Sequence, residues 1–380
     1  MYHTQYTKPT LRLKNAIRNS AFALSVVAAM STFSCKSPLN DNVISASVRP
    51  VAIADPKHPL CGNNKRDSEE TCDGKDAKAC SNECKSDCTC PSTGKLEVHY
   101  IDVGQGDAIL VVSPTMRTML IDAGKFRSDG SKISDYLALH TAGFVNYFVA
   151  SHFHADHIGG LSNILKDGRT TVDNVVDRGC SVSGNTFMYY ADFTAQFSRR
   201  NSRCACNDVS ECVPVASSEG VDLTPTIDLG REVQIRLLHV EYEKPNENNN
   251  SLVITLLHGD RTFLFGGDCE GDSSKSCETT FNPGKIDVYK VHHHGSDTST
   301  SIAFLAHMAP GPQISVISVG ARNHYGHPSP DVIARLTAAG SKVYRTDELG
   351  DIVLQSDGQS VRLIPKDDSI DGPKAIVSSQ

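Results

Sequence analysis

The stretch Ser151-His-Phe-His-Ala-Asp-His-Ile-Gly-Gly160 places three histidines and an aspartate within six residues. The apolar run Val145–Ala150 leads into it and reads as a strand, and in extended chain alternate side chains face the same way. His152 and His154 are therefore set to grip one ion. After the turn, Asp156 and His157 can address a second ion beside it. Neutral imidazole and carboxylate suit zinc or a similar first-row ion, with manganese or iron as alternatives. Gly159 and Gly160 permit close packing where the turn enters a helix. Two divalent ions about 3.5–4 Å apart can hold a shared hydroxide, with the pKa of bound water lowered to about 7. That supplies a nucleophile at neutral pH without serine or cysteine, and no G-x-S-x-G elbow or P-loop suggests other chemistry.

Further candidates lie at other strand ends. Asp268 closes the apolar run "TFLFGGD" and is either a cap or a ligand. His292, His293 and His294 follow another strand, and since neighbouring side chains point apart, all three cannot be ligands. His327, in "NHYGHP", either serves metal or substrate, protonating the leaving group, or belongs to a turn before Pro328, and His324 is a weaker candidate. Lys290 either holds an anionic group or is solvated. Asp102 and Asp107 in "IDVGQGD", and Asp122 in "LIDAG", either orient histidines by accepting imidazole N–H bonds or are plain turn residues. Arg199, Arg200 and Arg203 form a basic cluster that would border the cleft of a polyanion-binding site.

Elements must position these residues. Strand patterns fall at Leu96–Ile101, Ala108–Val112, Arg117–Ile121, Val145–Ala150, Val233–Val240, Ser251–His258, Thr262–Phe265, Ile286–Val291, Ile314–Val319 and Lys342–Arg345. Helical patterns fit Lys132–His140, Ile158–Leu165, Ile302–His307 and Pro330–Ala339. Many strands with interspersed helices suit two packed sheets flanked by helices, an α/β fold over residues 95–365. Residues 178–230 interrupt the rhythm and read as an insertion braced by Cys180, Cys204, Cys206 and Cys212, while Cys269 and Cys277 would close a small loop.

HFHADH resembles the HxHxDH motif of the metallo-β-lactamase superfamily. It lies within an ordered series over residues 97–355: "HYIDVGQGDAILV", "MLIDAG", "SHFHADHIGGL", "NNNSLVITL", "FLFGGD", "DVYKVHHHGS", "ISVGARNHYGHPSPDVIARL" and "VYRTDELG". The series resembles the soluble metallo-β-lactamase domain of the ComEC family of DNA-uptake proteins, and phosphorylcholine esterases of the same branch. The resemblance implies an αββα sandwich and a metal-dependent hydrolase. It implies that Asp268 bridges two ions and that "HHGS" maps onto His293 and His294. It further implies a phosphodiester substrate, either nucleic acid or a phosphocholine-type ester. The family's polytopic channel has no counterpart in these residues, so transport is not implied. One departure stands out: where many members carry a further histidine, this chain has Pro245-Asn-Glu-Asn-Asn-Asn-Ser251. One ion is left with fewer protein ligands, or relies on His293, His294 or His327.

The ends and the bulk composition bear on compartment. Lys8, Arg12, Lys14 and Arg18 precede the apolar stretch Ala21 to Met30, the layout of an export signal and too short to span a bilayer. Cys35 sits where a lipoprotein signal places its lipidated cysteine, so the expected location is periplasmic, outer-membrane-anchored or extracellular. Residues 36–60 read as a linker, and 366–380 as a tail. Residues 61–90 hold Cys61, Cys72, Cys80, Cys84, Cys88 and Cys90 with few apolar residues, so this module must be stapled, by disulfides or by zinc. It resembles the small cysteine-rich repeats of exported bacterial proteins. A net charge of −7 argues against sequence-blind attraction to nucleic acid while leaving a local basic cleft open. The functional expectation is an exported hydrolase of phosphodiesters. Its competitors are a lactonase or β-lactamase, and a non-catalytic surface-binding protein.

Overall fold

The computed structural model describes residues 62–66, 70–76, 80, 84–86, 88–125, 130–179, 185–194, 200–202, 215–223, 226–241 and 244–365. The signal segment, Cys35, the linker and the tail lie outside the described residues, as do Cys61, Cys180, Cys204, Cys206, Cys212, Arg199 and Arg203.

The strands are β1 (Leu96–Tyr100), β2 (Ile109–Val112), β3 (Thr118–Ile121), β4 (Phe144–Val149), β5 (Thr171–Asp177), β6 (Arg200–Ser202), β7 (Val215–Asp222) and β8 (Val233–Val240). They continue with β9 (Val253–His258), β10 (Arg261–Phe265), β11 (Val288–Lys290), β12 (Ile314–Ile317), β13 (Lys342–Arg345), β14 (Ile352–Ser356) and β15 (Val361–Ile364). Helices are α1 (Gly130–Thr141), α2 (Ala155–Ile158), α3 (Leu161–Lys166), α4 (Asn185–Thr194), α5 (Ile302–His307), α6 (Pro330–Ala338) and α7 (Thr346–Leu349).

One sheet runs β15-β14-β1-β2-β3-β4-β5-β6 and the other β13-β12-β11-β10-β9-β8-β7. Alternation along the strands sets their inner faces together: Val98, Tyr100, Val111, Met119 and Val149 meet Ile235, Leu237, Ile254, Leu256 and Phe263 in one core. Two further cores cover the outer faces. Ile133, Leu137, Leu161 and Ile164 pack on Leu120, Phe148 and Val175, and Phe304, Leu305, Val332 and Leu336 pack on Leu264, Tyr289 and Ile317. The result is helix, sheet, sheet, helix.

Several elements depart from expectation. The helix expected over Ile158–Leu165 is broken at Gly159 and Gly160 into α2 and α3. A Cβ on Gly160 would collide with the Ala123 carbonyl, so this backbone is pressed against the loop after β3. The insertion at 178–230 is partly regular: β6 extends the first sheet beside β5, and β7 pairs with β8 at the rim of the second. Strands β5, β14 and β15 escaped the sequence reading; β14 is antiparallel to β1 from Leu96–Ser356 to Tyr100–Ile352.

In the cysteine-rich module, Cys72 is bonded to Cys84 and Cys80 to Cys90, so these sulfurs offer no thiolates to zinc. Arg66 ties the module to the sheets, its guanidinium 2.8 Å from Asp173 and 4.2 Å from the Phe144 ring centroid. Cys269 and Cys277 close the short loop expected of them.

Candidate metal centre

The site forms where parallel strands end. His152, His154, Asp156 and His157 follow β4, Asp268 follows β10, and His292–Gly295 follow β11. The Asp268 carboxylate lies at the centre, with donors grouped around each oxygen. Its Oδ2 is 3.7 Å from His152 Nε2 and 3.8 Å from His293 Nε2. His154 Nδ1 stands 3.0 Å from His152 Nε2, on the same side. Asp268 Oδ1 is 3.2 Å from His157 Nε2 and 3.5 Å from His294 Nε2, and Asp156 Oδ2 is 3.4 Å from that His294 nitrogen.

Two adjacent histidines reach the same carboxylate because His293 and His294 adopt left-handed backbone, at φ 50° and 55°. In ordinary extended chain they would point apart, the assumption made from sequence. The left-handed conformation costs about 1–2 kcal/mol per non-glycine residue, and a residue is held there only where its surroundings over-determine it. Here His293 N–H donates to the Gly267 carbonyl at 3.1 Å, and His294 Nδ1 lies 2.9 Å from the Ser318 carbonyl. His292 turns the other way: its Nδ1 is 2.9 Å from Glu278 Oε1, and its ring lies against Gly266 so closely that a Cβ there would overlap it.

Carboxylates behind the histidines fix their rings. Asp122 Oδ2 lies 2.7 Å from His157 Nδ1 and accepts the Ser151 hydroxyl at 2.6 Å, while Oδ1 accepts the Ser151 N–H at 2.8 Å. Asp107 is 3.4 Å from His294 Nδ1. Glu270, which drew no attention in the sequence, lies 3.3 Å from His293 Nδ1. It accepts the side-chain amides of Asn246, Asn248 and Asn249 and the Thr298 hydroxyl. The Asn-rich segment thus anchors the carboxylate behind His293. The signal was available: buried asparagines require partners, and the nearby acid in "GGDCEG" is one.

Lys290 differs from both readings made of it. It is fully buried, its Nζ 2.7 Å from Asp107 Oδ2 and donating to the Val291 carbonyl at 3.0 Å, so it neither meets substrate nor is solvated. A lysine within the apolar strand "DVYKV" needs a carboxylate partner, because an unpaired buried charge is too costly. Asp102 takes the second of its two readings: it is half-exposed, accepts the Gly104 N–H at 3.0 Å and faces Lys132, as a turn residue. His327 is half-buried with its ring 5.6 Å from that of His293 and its N–H donating to Asn323, which places it at the mouth. His324 is exposed against Tyr325. Arg200 begins β6, and its side chain, like Arg199 and Arg203, lies outside what the structure describes.

The charge pattern has the form of a cation site. Burial opposes ionisation of Asp268, but His157, His294 and His293 hold its carboxyl well below the usual range. Burial likewise opposes charge on His294, yet Asp268 and Asp107 raise its pKa to about 10, and Asp268 and Asp122 push His157 well above the ordinary value. His152 is driven the other way, by burial and by His157. The carboxylates thus favour positive charge at both imidazoles, a demand that a bound cation would meet. His157 Nε2, His294 Nε2 and Asp268 Oδ1 are buried with no hydrogen-bond partner although they converge. Orphaned donors and acceptors of this kind fit divalent ions of the zinc type.

The family model described as the metallo-beta-lactamase superfamily matches residues 101–317. ComE operon protein 3 of Bacillus subtilis is 28% identical over 273 residues, covering 67% of this chain and 32% of that protein. Recombination protein 2 of Haemophilus influenzae is 28% identical over 267 residues, covering 67% of this chain and 28% of its own length. The chain thus spans about a third of the length of these relatives. Among solved structures, the metallo-beta-lactamase fold protein YhfI from Bacillus subtilis is 12% identical, covers 69% of this chain and 99% of that one, and superposes with a TM-score of 0.43.

Proposed function

We propose, from the premise that the chain belongs to the metallo-beta-lactamase superfamily, that it is an exported metal-dependent hydrolase of phosphodiesters. The observation that carries the reading is the division of donors about Asp268. His152, His154 and His293 would hold one ion, and Asp156, His157 and His294 the other. We take both ions to be zinc. When bound, such ions polarise a phosphoryl or carbonyl oxygen and bring the ionisation of water near neutral pH.

The chain's own residues do the positioning. Asp122 and Glu270 keep Nε2 of His157 and His293 turned inward, and Asp156 and Asp268 supply the negative charge that holds cations close together. Burial and the neighbouring His293 lower the pKa of His327 below its ordinary value, and an imidazole N–H there would donate a hydrogen bond to a leaving oxygen. A phosphodiester is favoured by the kinship with a recombination protein and by two adjacent cation positions, which suit in-line displacement at phosphorus. Export rests on the basic and apolar N-terminal segment. Among the described residues no helix is long and apolar enough to cross a membrane.

The test is turnover by zinc-loaded protein on bis(p-nitrophenyl) phosphate and a single-stranded oligonucleotide, against a cephalosporin and an acyl lactone. Phosphodiester hydrolysis abolished by chelator supports the proposal. Hydrolysis of lactam or lactone alone would make it a lactonase or β-lactamase. Inertness with metal bound would make it a binding protein.

A further inference from the structure

We infer that the chain holds a second, separate divalent-metal site on the outer face of the first sheet, formed by Glu97, His99 and His140. Glu97 and His99 are two residues apart on β1 and so project from the same face. His99 is buried, and its Nε2 has no hydrogen-bond partner. Glu97 Oε2 stands 3.3 Å from that nitrogen. Two ligand atoms at zinc–nitrogen and zinc–oxygen distances of about 2.0–2.1 Å in tetrahedral geometry are about 3.3 Å apart. The pair is therefore already spaced as one edge of a zinc tetrahedron.

Each ligand is braced through its other atom, as metal ligands characteristically are. His99 Nδ1 is 2.8 Å from the Tyr136 hydroxyl, which leaves Nε2 to face Glu97. Glu97 Oε1 accepts the side-chain amide of Gln355 at 2.8 Å, which leaves Oε2 turned to His99 Nε2. His140, one turn beyond Tyr136 on α1, is stacked on the Tyr136 ring at 4.3 Å and 29°, and its own ring lies 4.9 Å from that of His99. With His140 turned towards the pair, two imidazoles and a carboxylate would make a three-ligand zinc set with one position left to solvent. The Glu97 side chain is 36% exposed and gives an ion a way in.

A hydrogen-bonded Glu97–His99 pair with no ion is the competing arrangement, and zinc counting separates the two. Full-length protein is equilibrated with buffered zinc, desalted and analysed for metal per chain. His140→Gln and Glu97→Gln should each lower the content by about one zinc relative to wild type, with hydrolytic turnover within about twofold. In a His152→Ala/His294→Ala background, which disables the centre at Asp268, about one zinc should remain and should vanish when His140→Gln is added. In that background zinc should also raise the melting temperature, and His140→Gln should remove the rise. Equal zinc content in wild type, His140→Gln and Glu97→Gln overturns the inference. So does a His152→Ala/His294→Ala chain that binds none. Neither result touches the assignment of the main centre.

Discussion

Asp268 is the residue on which both halves of the centre depend, since one oxygen faces His152 and His293 and the other His157 and His294. Asp268→Asn removes its charge at nearly constant size. Turnover should fall at least ~100-fold, about 2.7 kcal/mol by transition-state arithmetic, and bound zinc should drop towards one ion or fewer per chain. Near-normal turnover with full metal content would show that the carboxylate bridges nothing. Glu270 makes a finer prediction, because it acts through His293. Glu270→Gln should weaken metal affinity by about 10–100-fold, as loss of an outer carboxylate commonly does. Excess zinc should restore kcat, whereas it should not rescue Asp268→Asn. At this scale the HxHxDH cluster was legible because alternation and helical turn alone bring its members together. The pairing of His293 with His294 was not, since no side-chain pattern announces two left-handed residues in succession.

Among the elements, β11 carries the clearest conflict between sequence and structure. Its lysine reads as a surface or substrate-facing cation, yet the strand lies between β10 and β12, and Lys290 Nζ is buried against Asp107. Removing one member of such a pair leaves an uncompensated buried charge, costing about 3–5 kcal/mol. Lys290→Met should therefore lower the denaturation midpoint steeply. A Lys290→Met protein of wild-type stability with a raised KM would instead return the lysine to the substrate. Boundaries of most strands were readable to within a residue or two, because apolar runs such as "VQIRLLHV" and "VITLLH" have no alternative to burial. Strand β5, "TVDNVVD", was missed because polar residues break its run. Its asparagine lies against the β4 backbone, where the Asn174 amide donates to the Asn146 carbonyl at 3.1 Å. Helix α2 was merged with α3 because the contact that separates them is a backbone one, between Gly160 and the loop after β3.

For the whole molecule, acid stability follows from which imidazoles the fold keeps neutral. His239 lies at the end of β8, wholly buried, with Nδ1 2.8 Å from the Thr280 hydroxyl and Nε2 3.2 Å from the Asn249 carbonyl. Burial is the main cause that its pKa is lowered to about 4, against an ordinary value of 6.5. Above 6.5 both folded and unfolded chains hold this histidine neutral, and it imposes no pH dependence. As pH falls from 6.5 to about 4 the unfolded chain takes up a proton that the folded chain refuses, so stability declines across that window and levels off below it. A shift of this size corresponds to about 3 kcal/mol. His239→Gln keeps a polar side chain there but removes the titration. The variant should start less stable than wild type at pH 7.5, and the gap should close or reverse by pH 4.5, as followed by urea midpoints at both values. A gap that stays constant would mean that His239 becomes protonated within the fold and finds an acceptor there. Asn249 links this position to the metal centre, since its side chain also binds the Cys277 N–H and Glu270. Protonation of His239 would push its ring away from the Asn249 carbonyl only if Nε2 ceased to donate. The retained N–H keeps that bond in either charge state, so titration of His239 leaves in place the Asn249 side chain that binds Glu270.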